Sequence, residues 1–112
     1  MTKHTETLDH LFQALADPTR RAMVERLTRG PASVSDLARP LKMKLPSVVQ
    51  HLQLLEKSGL VVSRKVGRVR TCRIEPQRLE ALQTWLDRQR ALWEARFDRF
   101  DALVEKSEVR DE

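Results

Sequence analysis

Leu8, Leu11, Phe12 and Leu15 recur at the i, i+3, i+4, i+7 spacing of one helical face, which predicts a helix over residues 5–16. Asp17-Pro18 closes it and opens another, because an aspartate supplies an N-cap acceptor and proline at the first helical position loses no useful N–H. That second helix extends to about residue 28, burying Ala22, Met23 and Leu27, and Gly30-Pro31 breaks it. Arg20 on its flank is expected to pair with Asp17 or Glu25, or to touch a phosphate. A short third helix starts at residue 34 and turns Val34, Leu37, Ala38 and Leu41 inward. Ser33 and Asp36 form a shortened capping box at its start, and Pro40 limits its length.

Residues 45–58 carry the next helical pattern, with Val49, Leu52 and Leu55 as the apolar stripe and Leu45 or Val48 behind it. Pro46 suits the first turn and Gly59 a C-terminal cap of positive φ. Lys44, Ser47, Gln50 and His51 are left pointing away from the stripe, and these are donors and acceptors that reach base edges and phosphates. Met43 and Lys44 make a tight turn between this helix and the one before it, which is helix-turn-helix geometry.

Beyond Gly59 the period shortens toward two, predicting a β-hairpin over residues 60–74 that reverses at Gly67. One face is expected to hold the branched aliphatic residues, with Arg64, Lys65, Arg68, Arg70 and Arg73 at the tip and on the other face. Such a basic hairpin after a recognition-type helix is a wing. A long helix follows over residues 77–105, roughly 40 Å at about 1.5 Å per residue. Its apolar positions, Leu79, Leu82, Leu86, Trp93, Phe97, Phe100 and Val104, progress by near-heptads. These rings are too many to leave exposed on a monomer. Leu86, Trp93, Phe97 and Phe100 are therefore expected to meet a second copy of the chain, together with Leu8 and Leu11 of the first helix. Residues 106–112 are expected to be a polar tail.

Charge changes this picture more than composition does. The 112 residues carry a net +5, but residues 42–73 hold eight basic side chains against one acidic, a net of +7. Residues 1–41 stand at +1 and residues 74–112 at −3. A basic block between near-neutral and acidic ones is the footprint of a polyanion-binding surface, here double-stranded DNA. The length fits a single domain over residues 1–112 with a modest core of Leu, Val and Ala. No apolar run has the length of a membrane span and no signal-peptide pattern is present, so a cytoplasmic protein is expected.

The candidate chemistry is sparse. With three glycines there is no phosphate-cradling loop, and neither a nucleophile–base pair nor a carboxylate pair in an apolar segment stands out, so no enzyme is expected. His4 and His10 lie near one end without a carboxylate-rich partner, so no metal or cofactor site is assigned. Cys72 is the sole cysteine, which excludes an intrachain disulfide. Arg70 and Arg73 beside it would favour its thiolate, which leaves a thiol-responsive role as an alternative to a structural one. A winged-helix module that binds protein instead of DNA is the other alternative.

The run Leu11-Phe12-Gln13-Ala14-Leu15-Ala16-Asp17-Pro18-Thr19-Arg20-Arg21 resembles the opening of ArsR-type (ArsR/SmtB superfamily) winged-helix repressors. The run His51-Leu52-Gln53-Leu54-Leu55-Glu56-Lys57-Ser58-Gly59-Leu60-Val61 is similar to the end of that family's recognition helix and the start of its wing. Residues 85–97 resemble a metal-independent branch of the family. The resemblance implies a mainly α fold with a β-hairpin wing, in a homodimeric bacterial repressor that binds a palindromic operator and is released by a signal such as a small-molecule inducer. On this resemblance Ser47, Gln50 and His51 match base- and phosphate-facing positions, and the wing residues match a backbone-contacting hairpin. The cysteines of metal-sensing members are replaced here by Ser33 and Ser35, poor ligands for soft metals. Lys44 and Val49 stand where the family commonly has Ser or Thr and Ser, respectively.

Overall fold

The computed structural model describes the backbone of residues 3–111 and the side chains of residues 6–106. Helix α1 (Lys3–Leu15) and helix α2 (Pro18–Leu27) lead to a two-residue strand β1 (Ala32–Ser33) and helix α3 (Val34–Ala38). A 3-10 turn over Arg39–Leu41 precedes helix α4 (Leu45–Lys57), the hairpin strands β2 (Val61–Val66) and β3 (Val69–Ile74), and helix α5 (Pro76–Asp111). The chain divides into two compact units, one ending at Glu80 and one opening at Ala81. The His4 side chain and, apart from the course of the α5 backbone through Asp111, residues 107–112 lie outside what is described.

The helix boundaries follow the local chemistry. Asp17 Oδ2 accepts from the backbone N–H of Arg20 at 3.0 Å, and Ser33 Oγ accepts from that of Asp36 at 3.0 Å, so both N-caps are made as the sequence implies. Gly59 closes α4 at φ +82, a left-handed backbone state that glycine adopts without strain. Lys42, between the 3-10 turn and α4, holds φ 53, the one positive φ outside glycine among the described residues. The turn thus pivots on Lys42, one residue before the pair expected to form it.

In the first unit the core gathers Leu11, Met23, Leu37, Leu55, Leu60 and Val61, all essentially inaccessible. Three details differ from the periodicity. Val24 is buried on α2 where Ala22 was expected, and Ala22 is exposed. The stripe of α4 is Val48, Leu52 and Leu55, with Val49 only half-buried and Leu45 53% exposed. Leu11 is 0% exposed within its own chain, so it has no surface to offer a second one. The expected place of Leu11 at an interface between copies is therefore corrected, whereas Leu8 stays half-exposed.

The hairpin is part of a three-stranded antiparallel sheet of order β1-β3-β2, with Ala32 opposite Cys72 and Ser33 opposite Thr71. Two residues behind a proline carry too little pattern to announce a strand. Register also alters the expected split between an aliphatic and a basic face. Val61, Ser63 and Lys65 lie opposite Ile74, Cys72 and Arg70 on one face, while Val62, Arg64 and Val66 lie opposite Arg73, Thr71 and Val69 on the other. Each face is therefore apolar in part and cationic in part.

The second unit is the continuation of α5. Leu86, Trp93, Phe97 and Phe100 all lie exposed on it, Trp93 at 67%, and the rings of Trp93 and Phe97 stack at 6.3 Å between centroids. The helix runs to Asp111, so the expected polar tail is helical over most of its length.

Candidate nucleic-acid interface

Helix α4 begins without a side-chain cap. Lys44 sits at its N-cap, and only the Lys44 carbonyl closes the first turn, accepting from Ser47 N at 3.0 Å and Val48 N at 3.2 Å. The Lys44 ammonium is thereby left to solvent at the mouth of the helix. Gln50 and Gln53 are exposed further along, and Ser47 is half-buried. Of the residues expected to face outward, Lys44, Ser47 and Gln50 thus retain accessible surface.

His51 differs. Its side chain is 21% exposed, and its Nδ1 lies 3.2 Å from Arg20 Nη1 and 3.8 Å from Asp17 Oδ2. Arg20 also donates from Nε to the Ala14 carbonyl at 2.7 Å and from Nη2 to the Gln13 carbonyl at 3.1 Å. One guanidinium therefore satisfies the open carbonyls at the end of α1 and meets the imidazole of α4. The Asp17 carboxyl is held below its usual pKa, chiefly by the Arg20 backbone N–H, against burial, and with help from the charges of Arg20 and His51. The imidazole expected to point outward is turned toward the α1–α2 corner, where it braces α4.

The wing is tied to the same helix. Ser63 Oγ donates to Glu56 Oε1 at 2.6 Å and accepts from Arg70 Nη1 at 2.8 Å. Glu56 is the one acidic residue of the +7 segment, and this bond gives it a task in aiming β2 and β3. Arg64, Lys65, Arg68 and Arg70 are all exposed, and Gly67 supplies the φ of +63 that the reversal needs. Val66 and Val69, paired across the tip, are also open to solvent.

Cys72 is fully buried beside Ala32. Burial, with the charge of Glu56 adding to it and Arg70 opposing it, pushes its thiol up to about 11. This overturns the expectation that neighbouring arginines favour the thiolate, and the side chain packs in the core. Among the described residues no group of three His, Cys, Asp or Glu stands close enough to hold a metal ion. Among the described residues, too, no helix is long and apolar enough to cross a membrane.

Periodicity did not foresee the Arg20–His51 contact, the Glu56–Ser63–Arg70 link or the exposure of Leu45. A lone acid inside a basic block was the available signal for the second. The first and third depend on how α4 rotates against the core, which a stripe with two candidate flanks leaves open.

A short helix, a tight turn, a second helix with its polar side exposed and a basic three-stranded wing define a winged helix-turn-helix protein. Residues 15–64 match a helix-turn-helix domain family. The chain is 50% identical over 80 residues to the HTH-type transcriptional regulator Rv2034 of Mycobacterium tuberculosis, spanning 71% of this chain and 75% of that one. It is 40% identical over 67 residues to the arsenical resistance operon repressor of Escherichia coli, spanning 59% and 57%. The crystal structure of an ArsR family transcriptional regulator superposes with a TM-score of 0.78 at 53% identity, covering 84% of this chain and 97% of that one. The chain belongs to the ArsR family of winged helix-turn-helix transcriptional regulators. That is a family of DNA-binding regulators and not of enzymes.

Proposed function

We propose that this regulator is a homodimeric repressor whose two copies bind a palindromic operator. Helix α4 lies in the major groove, offering Lys44, Ser47 and Gln50, while Arg64, Lys65, Arg68 and Arg70 of the wing hold the phosphate backbone. His51 contributes by seating α4. The observation that carries this reading is the confinement of a net +7 to residues 42–73, whose cations are exposed around α4 and the wing tip. Counterion release from such a surface drives association with any duplex, and the polar side chains of α4 then select among sequences.

Pairing of copies rests on α5. Leu86, Trp93, Phe97 and Phe100 present an apolar surface in near-heptad spacing, with the half-exposed Leu8 of α1 as a further candidate. Two copies would set their α4 helices about one helical turn of DNA apart, on the order of 34–36 Å, or a multiple of that. Sedimentation and footprinting test both halves together. Wild-type chain should sediment as two copies and protect a two-fold symmetric patch in the DNA upstream of its own gene. Replacing Trp93 and Phe97 with lysine should give single copies that lose the symmetric footprint. A wild-type monomer at the protecting concentration contradicts the pairing.

A further inference from the structure

Leu45 is the first residue of α4, yet 53% of it is exposed, and Val49 one turn later is only half-buried. Residues four apart on a helix are neighbours, so the two form a short apolar strip beside the exposed Lys44, Pro46 and Gln50. The core side of α4 is filled by Val48, Leu52 and Leu55, so nothing in the first unit's core needs this strip. Its position among the cations of the +7 segment argues against a second apolar protein surface as occupant and for a polyanion with an apolar feature. In the DNA major groove the C5-methyl group of thymine is that feature. Helix-turn-helix proteins read base edges with the N-terminal residues of the second helix, which is where Leu45 stands.

We infer that Leu45, flanked by Val49, is a specificity-determining residue that packs on a thymine methyl in each half-site. This rests on the proposed operator reading and adds to it: polar contacts from Ser47 and Gln50 select hydrogen-bonding edges, and the strip demands a 5-methyl pyrimidine beside them. Leu45 lies at the exposed start of the helix, so Leu45→Ala removes the strip's outer half without opening the core.

The test uses a duplex enriched from a random library by the full wild-type chain, resynthesised with deoxyuridine replacing each half-site thymine in turn. Wild-type chain should bind about fourfold more weakly at one thymine per half-site, the fold-change of one methyl no longer buried. Leu45→Ala should bind the thymine and uracil forms of that duplex alike, with an unchanged salt slope and thermal midpoint. Equal binding of both forms by the wild type at every half-site position overturns the inference, as does a Leu45→Ala chain that keeps the discrimination. Enrichment of no duplex at all overturns the operator reading itself, and the inference with it.

Discussion

Ser63 Oγ donates a 2.6 Å hydrogen bond to Glu56 Oε1, fastening the middle of β2 to the last turn of α4. Arg70 Nη1 completes the link by donating to the same hydroxyl at 2.8 Å. The last turn of α4, where Glu56 stands beside Lys57, is thus joined to a basic hairpin by the only carboxylate of residues 42–73. Ser63→Ala deletes both bonds and leaves Glu56 and Arg70 half-exposed or exposed, where water replaces much of the loss. The expected cost is about 1 kcal/mol in urea unfolding. Affinity for the operator and for random duplex should fall together by several-fold, because the wing's aim is loosened and not its chemistry. An unchanged affinity would mean that the wing does not need this link.

The turn before α4 stores strain at Lys42, whose φ of 53 brings its Cβ close to the following carbonyl. Lys42→Gly relieves that, while the freer glycine gives up more chain entropy on folding, for a net stabilisation of roughly 0.5–1 kcal/mol. Thermal unfolding of the two chains side by side measures it, and a lower midpoint for the glycine variant would show the turn is not strained.

Asp17 gives stability a defined acid dependence. Its carboxyl has a folded pKa below the unfolded one, chiefly through the Arg20 backbone N–H. The carboxylate's contribution is therefore fully present above the unfolded value and is lost as pH falls through the folded one. The substitution Asp17→Asn keeps the cap's acceptor oxygen without the charge. Wild type should be the more stable at neutral pH, with the gap closing only below the ordinary carboxylate range. A gap that persists unchanged well below that range would assign the effect to shape instead of charge.

Much of the fold was legible because its signals are local. Asp17-Pro18, Ser33 with Asp36, Gly59 and Gly67 each fix a backbone state by their own chemistry, and the elements begin and end where they stand. The rotation of α4 was not legible, since Val48 and Val49 are equally apolar neighbours and only packing chooses between them. That choice moved Leu45 out of the core and His51 inward. Strand β1 escaped because two residues cannot display a period, and Leu11 escaped because helical spacing tells which side is apolar but not which chain covers it. The cationic surface was legible almost whole: charge is additive along the sequence, and exposure left it in place.

Helix α4 reading bases and the wing gripping phosphates are separable roles, and the salt dependence of two variants separates them. Wild-type chain should lose on the order of 10³–10⁵ in operator affinity between about 50 and 200 mM salt, as expected for roughly 6–10 phosphate contacts. Arg68→Ala should weaken operator and random duplex alike and flatten the salt slope by about one per copy. Gln50→Ala should leave the slope intact and lower the operator-over-random ratio by roughly five- to a hundredfold, the range for losing a base contact. If Gln50→Ala leaves that ratio unchanged, α4 is not the reading element and the account is wrong.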